Sequence, residues 1–414
     1  MSQIVKIQAL FLSSFLLMFG GGLHGLLLAV RGAHEGFSTL ALGLIGTGWS
    51  IGYIAGSLAV PGMVSRVGHI RTYAVMAAIG AITILLNLLW INDIGWIVLR
   101  VFSGFCFAGA AMVVESWLNE KADNSSRGTI FSTYVVVNLT ASTVGQLAIS
   151  FMGVVGAVPF VVGAIAIVGA MIPTALSTQP QPTPLTTARM NLPLLYRTSP
   201  VAVVASFGVG VANGTFGTLA PVFAFLKGIP AHEIGYLMSV PIILGAVSQL
   251  PLGRLSDRID RRMVIIGSGL MAALSGLVIL FTDAAGWPLY ALFGLYGLSA
   301  LPIYAIAVSH ANDFAHDNEF ASIASGMILV FGVGLAIGPF AASFVMDMIG
   351  PAGLFAVTAA THTIIAVSAF IRMRLRPPVQ GAPFRPLPVG RTTPPATIVL
   401  DPRANPEDGE EVHV

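Results

Sequence analysis

Arg100 and Glu115 are the two ionisable residues placed well inside a long apolar stretch, Ile94 to Asn119. On a helix they would fall about 60° apart around the axis and about 22 Å apart along it, so both face one side. A cation and an anion in a low-dielectric segment need a partner or a water-filled cavity. Arg100 either serves anion binding or proton coupling, or it extends its guanidinium to the membrane interface. Glu115 is either a gate or protonatable coupling group, or half of a structural pair with Arg127 or Arg66; breaking such a pair costs roughly 3–5 kcal/mol. His24 follows Gly20, Gly21 and Gly22 and is a candidate proton site because imidazole titrates near neutral pH. Glycines so placed also serve close helix packing. Tyr134, Asn138, Asn213, Gln249, Tyr296 and Tyr304 offer further hydrogen bonds to a cargo, each with an interhelical bond as its alternative.

The elements that must position these groups are twelve apolar runs, each close to the ~20 residues that a helix needs to cross a bilayer. The first is expected from Val5 to Val30, the sixth from Met152 to Leu176 and the tenth from Trp287 to His310. With 55% hydrophobic and 9% charged residues, the chain lies far from the ~25% charged content of soluble domains. The fold class is therefore an all-α membrane protein. Residues 1–176 and 201–376 are expected as two six-helix bundles, residues 177–200 as a flexible cytoplasmic linker with Pro180, Pro182 and Pro184, and residues 377–414 as a disordered cytoplasmic tail.

All but three of the 20 lysines and arginines fall on one side if the N-terminus is cytoplasmic, which places both termini inside and the protein in the inner (plasma) membrane. A net charge of +2 argues against a nucleic-acid partner. The single cysteine, Cys106, excludes an internal disulfide and reads as a buried apolar residue. No Walker loop, metal-spaced Cys/His cluster or G-x-S-x-G is present, so no cofactor, metal or enzyme activity is expected. The expected partners are a small-molecule substrate, the lipid bilayer and protons, with the chain acting as a monomer. Arg31-Gly32 and Lys227-Gly228 end corresponding spans, and their cations read as helix C-terminal partners.

The second half repeats the first at an offset of about 193 residues. Gly52 falls on Gly245, Gly104 on Gly297, Ser116 on Ser309, Asn119 on Asn312 and Gly145 on Gly338. Six spans per half make the repeats parallel, an arrangement that places a substrate near the midplane between them.

The stretch Gly253 to Arg262 reads GRLSDRIDRR and resembles the loop signature of the major facilitator superfamily through Gly253, Asp257, Arg258, Arg261 and Arg262, with Asp260 where the family has glycine. Its first-half copy keeps Arg66 and Gly68 but has Ser65 in place of the acid. The resemblance implies a cytoplasmic gate in which Asp257 pairs with Arg258 or Arg262. The segment from Val113 to Gln146 is similar to the YcaD-like branch through Glu115, Ser116, Arg127, Gly128, Tyr134, Gly145 and Gln146. Arg100 begins an R-x-x-x-G pattern that the superfamily uses in a cavity-lining fourth span. The resemblance thus implies a secondary transporter working by alternating access, with proton-coupled export of a small organic solute as the first expectation. Uptake or facilitated diffusion of an anionic metabolite is the alternative, and a non-transporting sensor or scaffold is the rival of another class.

Overall fold

The computed structural model describes residues 7–121, 127–176, 191–316 and 319–375, with only the backbone at 127, 128 and 321. The expectations for the tail and for most of the linker lie outside the described residues. The N-terminal bundle comprises α1 (Gln8–His34), α2 (Thr39–Val67), α3 (His69–Leu89), α4 (Asp93–Lys121), α5 (Arg127–Met152), α6 (Val158–Gly169) and α7 (Met171–Ala175). After the short α8 (Leu192–Thr198), the C-terminal bundle comprises α9 (Pro200–Leu226), α10 (Ala231–Arg258), α11 (Arg261–Phe281), α12 (Trp287–Ala300), α13 (Pro302–Asp313), α14 (Phe320–Ile349) and α15 (Gly353–Leu375).

These helices supply 12 spans long and apolar enough to cross a membrane. Large apolar side chains such as Leu58, Phe151, Ile165, Leu274 and Phe281 are exposed on the outside. Helices that are apolar on the outer face as well as the inner one are solvated by lipid. Two spans are composite. The sixth is α6 plus α7, and the tenth breaks at Leu301, where Pro302 follows as the first residue of α13 and cannot supply the N–H that continues α12. Helix starts follow capping chemistry: the side chains of Ser38, Ser199 and Asp260 accept the main-chain N–H groups of Ala41, Ala202 and Arg262.

The helix pairings repeat between halves. α2 packs on α4 as α10 packs on α12, and α1 packs on α5 as α9 packs on α14. The offset-matched glycines are the points of contact. A Cβ on Gly104 would meet the main chain of Trp49 and Tyr53, and one on Gly297 would meet the main chain of Pro241. Only glycine lets the backbones approach this closely. The last part of the expected flexible linker is ordered: α8 is capped by Asn191, and Leu195 is fully buried against α14.

Six crossings bring the start of α1, the end of α7, α8 and the end of α15 to one face, called here the linker face. On the opposite face the bundles are fastened together. Thr47 donates to the Ala336 carbonyl (2.7 Å), and the Ser50 hydroxyl shares its proton between the Leu335 carbonyl (3.3 Å) and the Gly46 carbonyl of its own helix (3.2 Å). A Cβ on Gly43 would meet the Pro339 carbonyl, and one on Gly235 would meet Ser150 and Gln146. Pro339 lies inside α14 and lacks the N–H that would otherwise serve Leu335, so Ser50 satisfies a carbonyl that the proline has released.

Candidate functional site

Between the bundles lies a cavity of about 90 Å³. Its wall is unequal. The first five helices supply every charged or polar lining side chain, including His24, Arg100, Ser103, Glu115, Tyr134 and Asn138. The C-terminal bundle contributes Gly217, Pro221, Met238, Ile242 and Leu301.

Arg100 projects from α4 into this wall and keeps 8% of its surface exposed. Its guanidinium stands 5.8 Å from the Trp49 ring, whose face attracts a cation. Among the described residues it makes no ion pair, and its Nε has no hydrogen-bond partner. The side chain therefore turns inward to the cavity. His24, on α1, is buried, with Nε2 3.1 Å from Asn87 Oδ1.

Glu115 lies toward the linker face of the same cavity. Tyr134, fully buried on α5, donates its hydroxyl to Glu115 Oε1 at 3.0 Å. One turn along α5, Asn138 accepts a hydrogen bond from Ser14 at 2.6 Å and also reaches the Tyr134 hydroxyl. A polar path thus runs from α1 through α5 to the carboxylate on α4. Of the two expected ionic partners of Glu115, Arg66 is exposed at the end of α2 and the Arg127 side chain lies outside the described residues. Tyr134 is the donor to Glu115 among the described residues.

Four other candidates stand away from the cavity wall. Tyr296 stacks on Phe216 (4.4 Å between ring centres, 14° between planes) and meets His362 edge-on, inside a cluster that includes Phe223, Phe293 and Phe355. Tyr304 packs on Phe331, and Asn213 and Gln249 are buried within the same bundle. The interior of the C-terminal bundle is filled by aromatic rings, and these four groups are buried there, off the cavity wall. Cys106, expected as plain packing, is buried yet borders the cavity.

In the charged loop Asp257 pairs with Arg261 (2.9 Å), and Arg258 is exposed. Arg261 also holds Asp313 at the end of α13 (2.7 Å), and Arg262 pairs with Asp260 (2.6 Å) while donating to the Arg372 carbonyl. Asp260, the departure from the family pattern, serves as cap of α11 and as partner of Arg262. Burial alone would raise its carboxyl, but the hydrogen bonds from Arg262 outweigh that and hold its pKa below the usual carboxylate range. These contacts all tie elements of the C-terminal bundle to one another.

Asp313, Trp49 and Ser103 were not picked out from the sequence. For Asp313 a signal existed, since the repeat offset of about 193 sets it on Glu120. At the offset of 192 that sets Arg66 on Arg258, its partner Arg261 falls on His69, whose Nε2 lies 3.2 Å from the Ser116 hydroxyl. Arg31 and Lys227, expected at helix ends, pair there with Glu35 and Asp283, both at 2.6 Å.

The chain matches the Major Facilitator Superfamily profile in two overlapping stretches, residues 10–231 and 202–404. It is 25% identical over 311 residues to the uncharacterized MFS-type transporter YcaD of Escherichia fergusonii, spanning 74% of this chain and 80% of that one. It is 25% identical over a further 311-residue alignment to the uncharacterized MFS-type transporter Ent638_1421 of Enterobacter sp. strain 638, with the same coverage. Its fold is similar to the crystal structure of the nucleoside transporter NupG, with a TM-score of 0.75 at 16% identity over 91% of this chain and 100% of that one. It is also similar to a bacterial homologue of the human lysosomal transporter Spinster in an inward-facing, unoccupied conformation, with a TM-score of 0.71 at 15% identity over 90% of this chain and 97% of that one. Twelve spans in two matched bundles, a cavity between them and a family match along nearly the whole chain make one conclusion: the protein belongs to the Major Facilitator Superfamily and is a non-enzymatic, multi-pass membrane transporter of the YcaD-like kind.

Proposed function

We propose that this transporter carries a small organic anion together with a proton, with Arg100 meeting the anion and Glu115 holding the proton while the bundles rock about the cavity. The linker face is cytoplasmic in this reading, by the distribution of lysine and arginine, and the membrane is the plasma membrane. The observation that carries the proposal is the charge layout of the cavity: one arginine with no carboxylate partner among the described residues, and one carboxylate whose described donor is a neutral hydroxyl. With both groups charged, the empty cavity is neutral. Adding an anion leaves a net negative charge, and protonating Glu115 removes it. At about 22 Å and an effective dielectric constant of 20, repulsion between the bound anion and ionised Glu115 is about 0.8 kcal/mol, a factor of about four in affinity. Proton and anion therefore favour each other's binding, which is the thermodynamic basis of symport. Export by proton antiport requires the opposite sign of coupling.

Reconstituted vesicles loaded with a pH dye test the proposal. An inward proton gradient is expected to drive accumulation of the anion, and anion entry to acidify the lumen. Glu115→Gln should retain exchange of anion for anion but lose gradient-driven accumulation, and Arg100→Gln should lose both. Flux that ignores the gradient, or cargo entry that alkalinises the lumen, refutes it.

A further inference from the structure

We infer that the cargo is an aromatic or branched aliphatic monocarboxylate, read by the N-terminal bundle alone, and that Gly25 sets how large its apolar body can be. This rests on the anion reading above and narrows it. Arg100 is the one lysine or arginine among the described lining residues, which matches a single negative charge. Beside it the Trp49 ring lies 5.8 Å from the guanidinium, and the Phe107 ring 5.8 Å from that of Trp49. The facing wall from the C-terminal bundle, Met238, Ile242, Leu301 and Pro221, carries no polar side chain to hold a second ionic or strongly polar group. One charged clasp bordered by rings and aliphatic groups fits an acid with a flat or branched apolar body.

Gly25 supplies the independent observation. Its neighbours in the same helix are glycines for packing: a Cβ on Gly20 would strike Ile167, one on Gly21 the Phe107 ring, and one on Gly22 the Ser142 main chain. A Cβ on Gly25 would meet nothing within 4 Å, and Gly25 lines the cavity beside His24. Glycine weakens a helix interior, and neither packing nor backbone conformation calls for it there. Room in the cavity does.

Binding to the purified protein in lipid nanodiscs, read by calorimetry and thermal stabilisation, tests this with benzoate, benzamide, acetate, succinate and inorganic phosphate. Benzoate should bind about 10- to 100-fold more tightly than benzamide, the range set by a charge-assisted hydrogen bond. It should also exceed acetate and succinate, and Arg100→Gln should abolish its advantage over benzamide. Gly25→Val should weaken benzoate at least about 10-fold while leaving acetate unchanged, with Gly25→Ala intermediate. Gly267→Val, on an exposed position of α11 where a Cβ also meets open space, should change nothing. Arg100-dependent binding that prefers succinate or phosphate overturns this inference and leaves anion transport standing. Benzamide binding as tightly as benzoate, with no effect of Arg100→Gln, overturns both. Full benzoate affinity in a folded Gly25→Val protein, or no binding by any of the five probes, also overturns the inference.

Discussion

Removing the fastening opposite the linker face should open that face. Thr47 and Ser50, on α2, each donate to a carbonyl of α14, at 2.7 Å and 3.3 Å. An interhelical side-chain hydrogen bond within a membrane contributes about 0.6 kcal/mol on average, and Ser50 shares its proton with Gly46 of its own helix, so replacing both residues by alanine should cost the closed face at most about 1.2 kcal/mol. That is about an eightfold shift toward conformations with the bundles parted there. The two bonds are separable by their origin. The Leu335 carbonyl is available to Ser50 because Pro339 has no N–H, whereas the Thr47 bond does not depend on the proline. In a Pro339→Ala background the helix regains its own donor to Leu335. Ser50→Ala should then have almost no effect, while Thr47→Ala should keep its full effect. Spin labels at positions 91 and 285, in exposed loops of the two bundles on that face, report the separation once the single native cysteine, Cys106, is replaced. An unchanged distance distribution in the double alanine variant refutes the reasoning, as does an equal effect of Ser50→Ala with and without Pro339.

Tyr134→Phe should lower stability by roughly 2 kcal/mol, the range for a hydrogen bond to a charged group, and by about half that in a Glu115→Gln background; a double-mutant cycle on thermal unfolding measures the difference. Gly104→Ala should destabilise by about 1–3 kcal/mol because its Cβ meets the rigid main chain of Trp49 and Tyr53. Gly62→Ala, in open space on α2, should be neutral or gain up to about 1 kcal/mol in the same unfolding assay. The Asp260 carboxyl has a depressed pKa, so its pairing with Arg262 contributes stability that is fully present above the unfolded value of about 3.9 and is lost as pH falls through the folded one. Asp260→Asn should remove that acid-sensitive part, seen as a flatter fall of the unfolding midpoint between about pH 5 and pH 2.

The architecture was legible because its requirements are local and repeated. A span needs only length and apolarity, and a close crossing needs only a small residue, so Gly104 and Gly297, or Gly145 and Gly338, mark matching contacts in both halves. The direction in which a buried polar group turns is a different matter. Tyr134 and Tyr296 look alike in sequence, each on a long apolar helix, yet one donates to Glu115 at the cavity and the other stacks on Phe216. What separates them is the aromatic filling of one bundle and the glycine-lined hollow of the other, and that is set by residues on neighbouring helices. The same holds for Arg261, whose partner Asp313 lies far along the chain and shows in sequence only through the repeat.

The central claim is that anion binding at Arg100 and protonation of Glu115 assist each other across one cavity. Proton uptake on binding tests it most directly: the purified protein is mixed with a bound monocarboxylate in weakly buffered solution near the pH of half-maximal uptake, and the pH change is read with a dye. For the fourfold coupling the account predicts net uptake by the native protein that peaks at about 0.3 protons per anion, and none by Glu115→Gln. Proton release on binding, or equal uptake by both proteins, would contradict it.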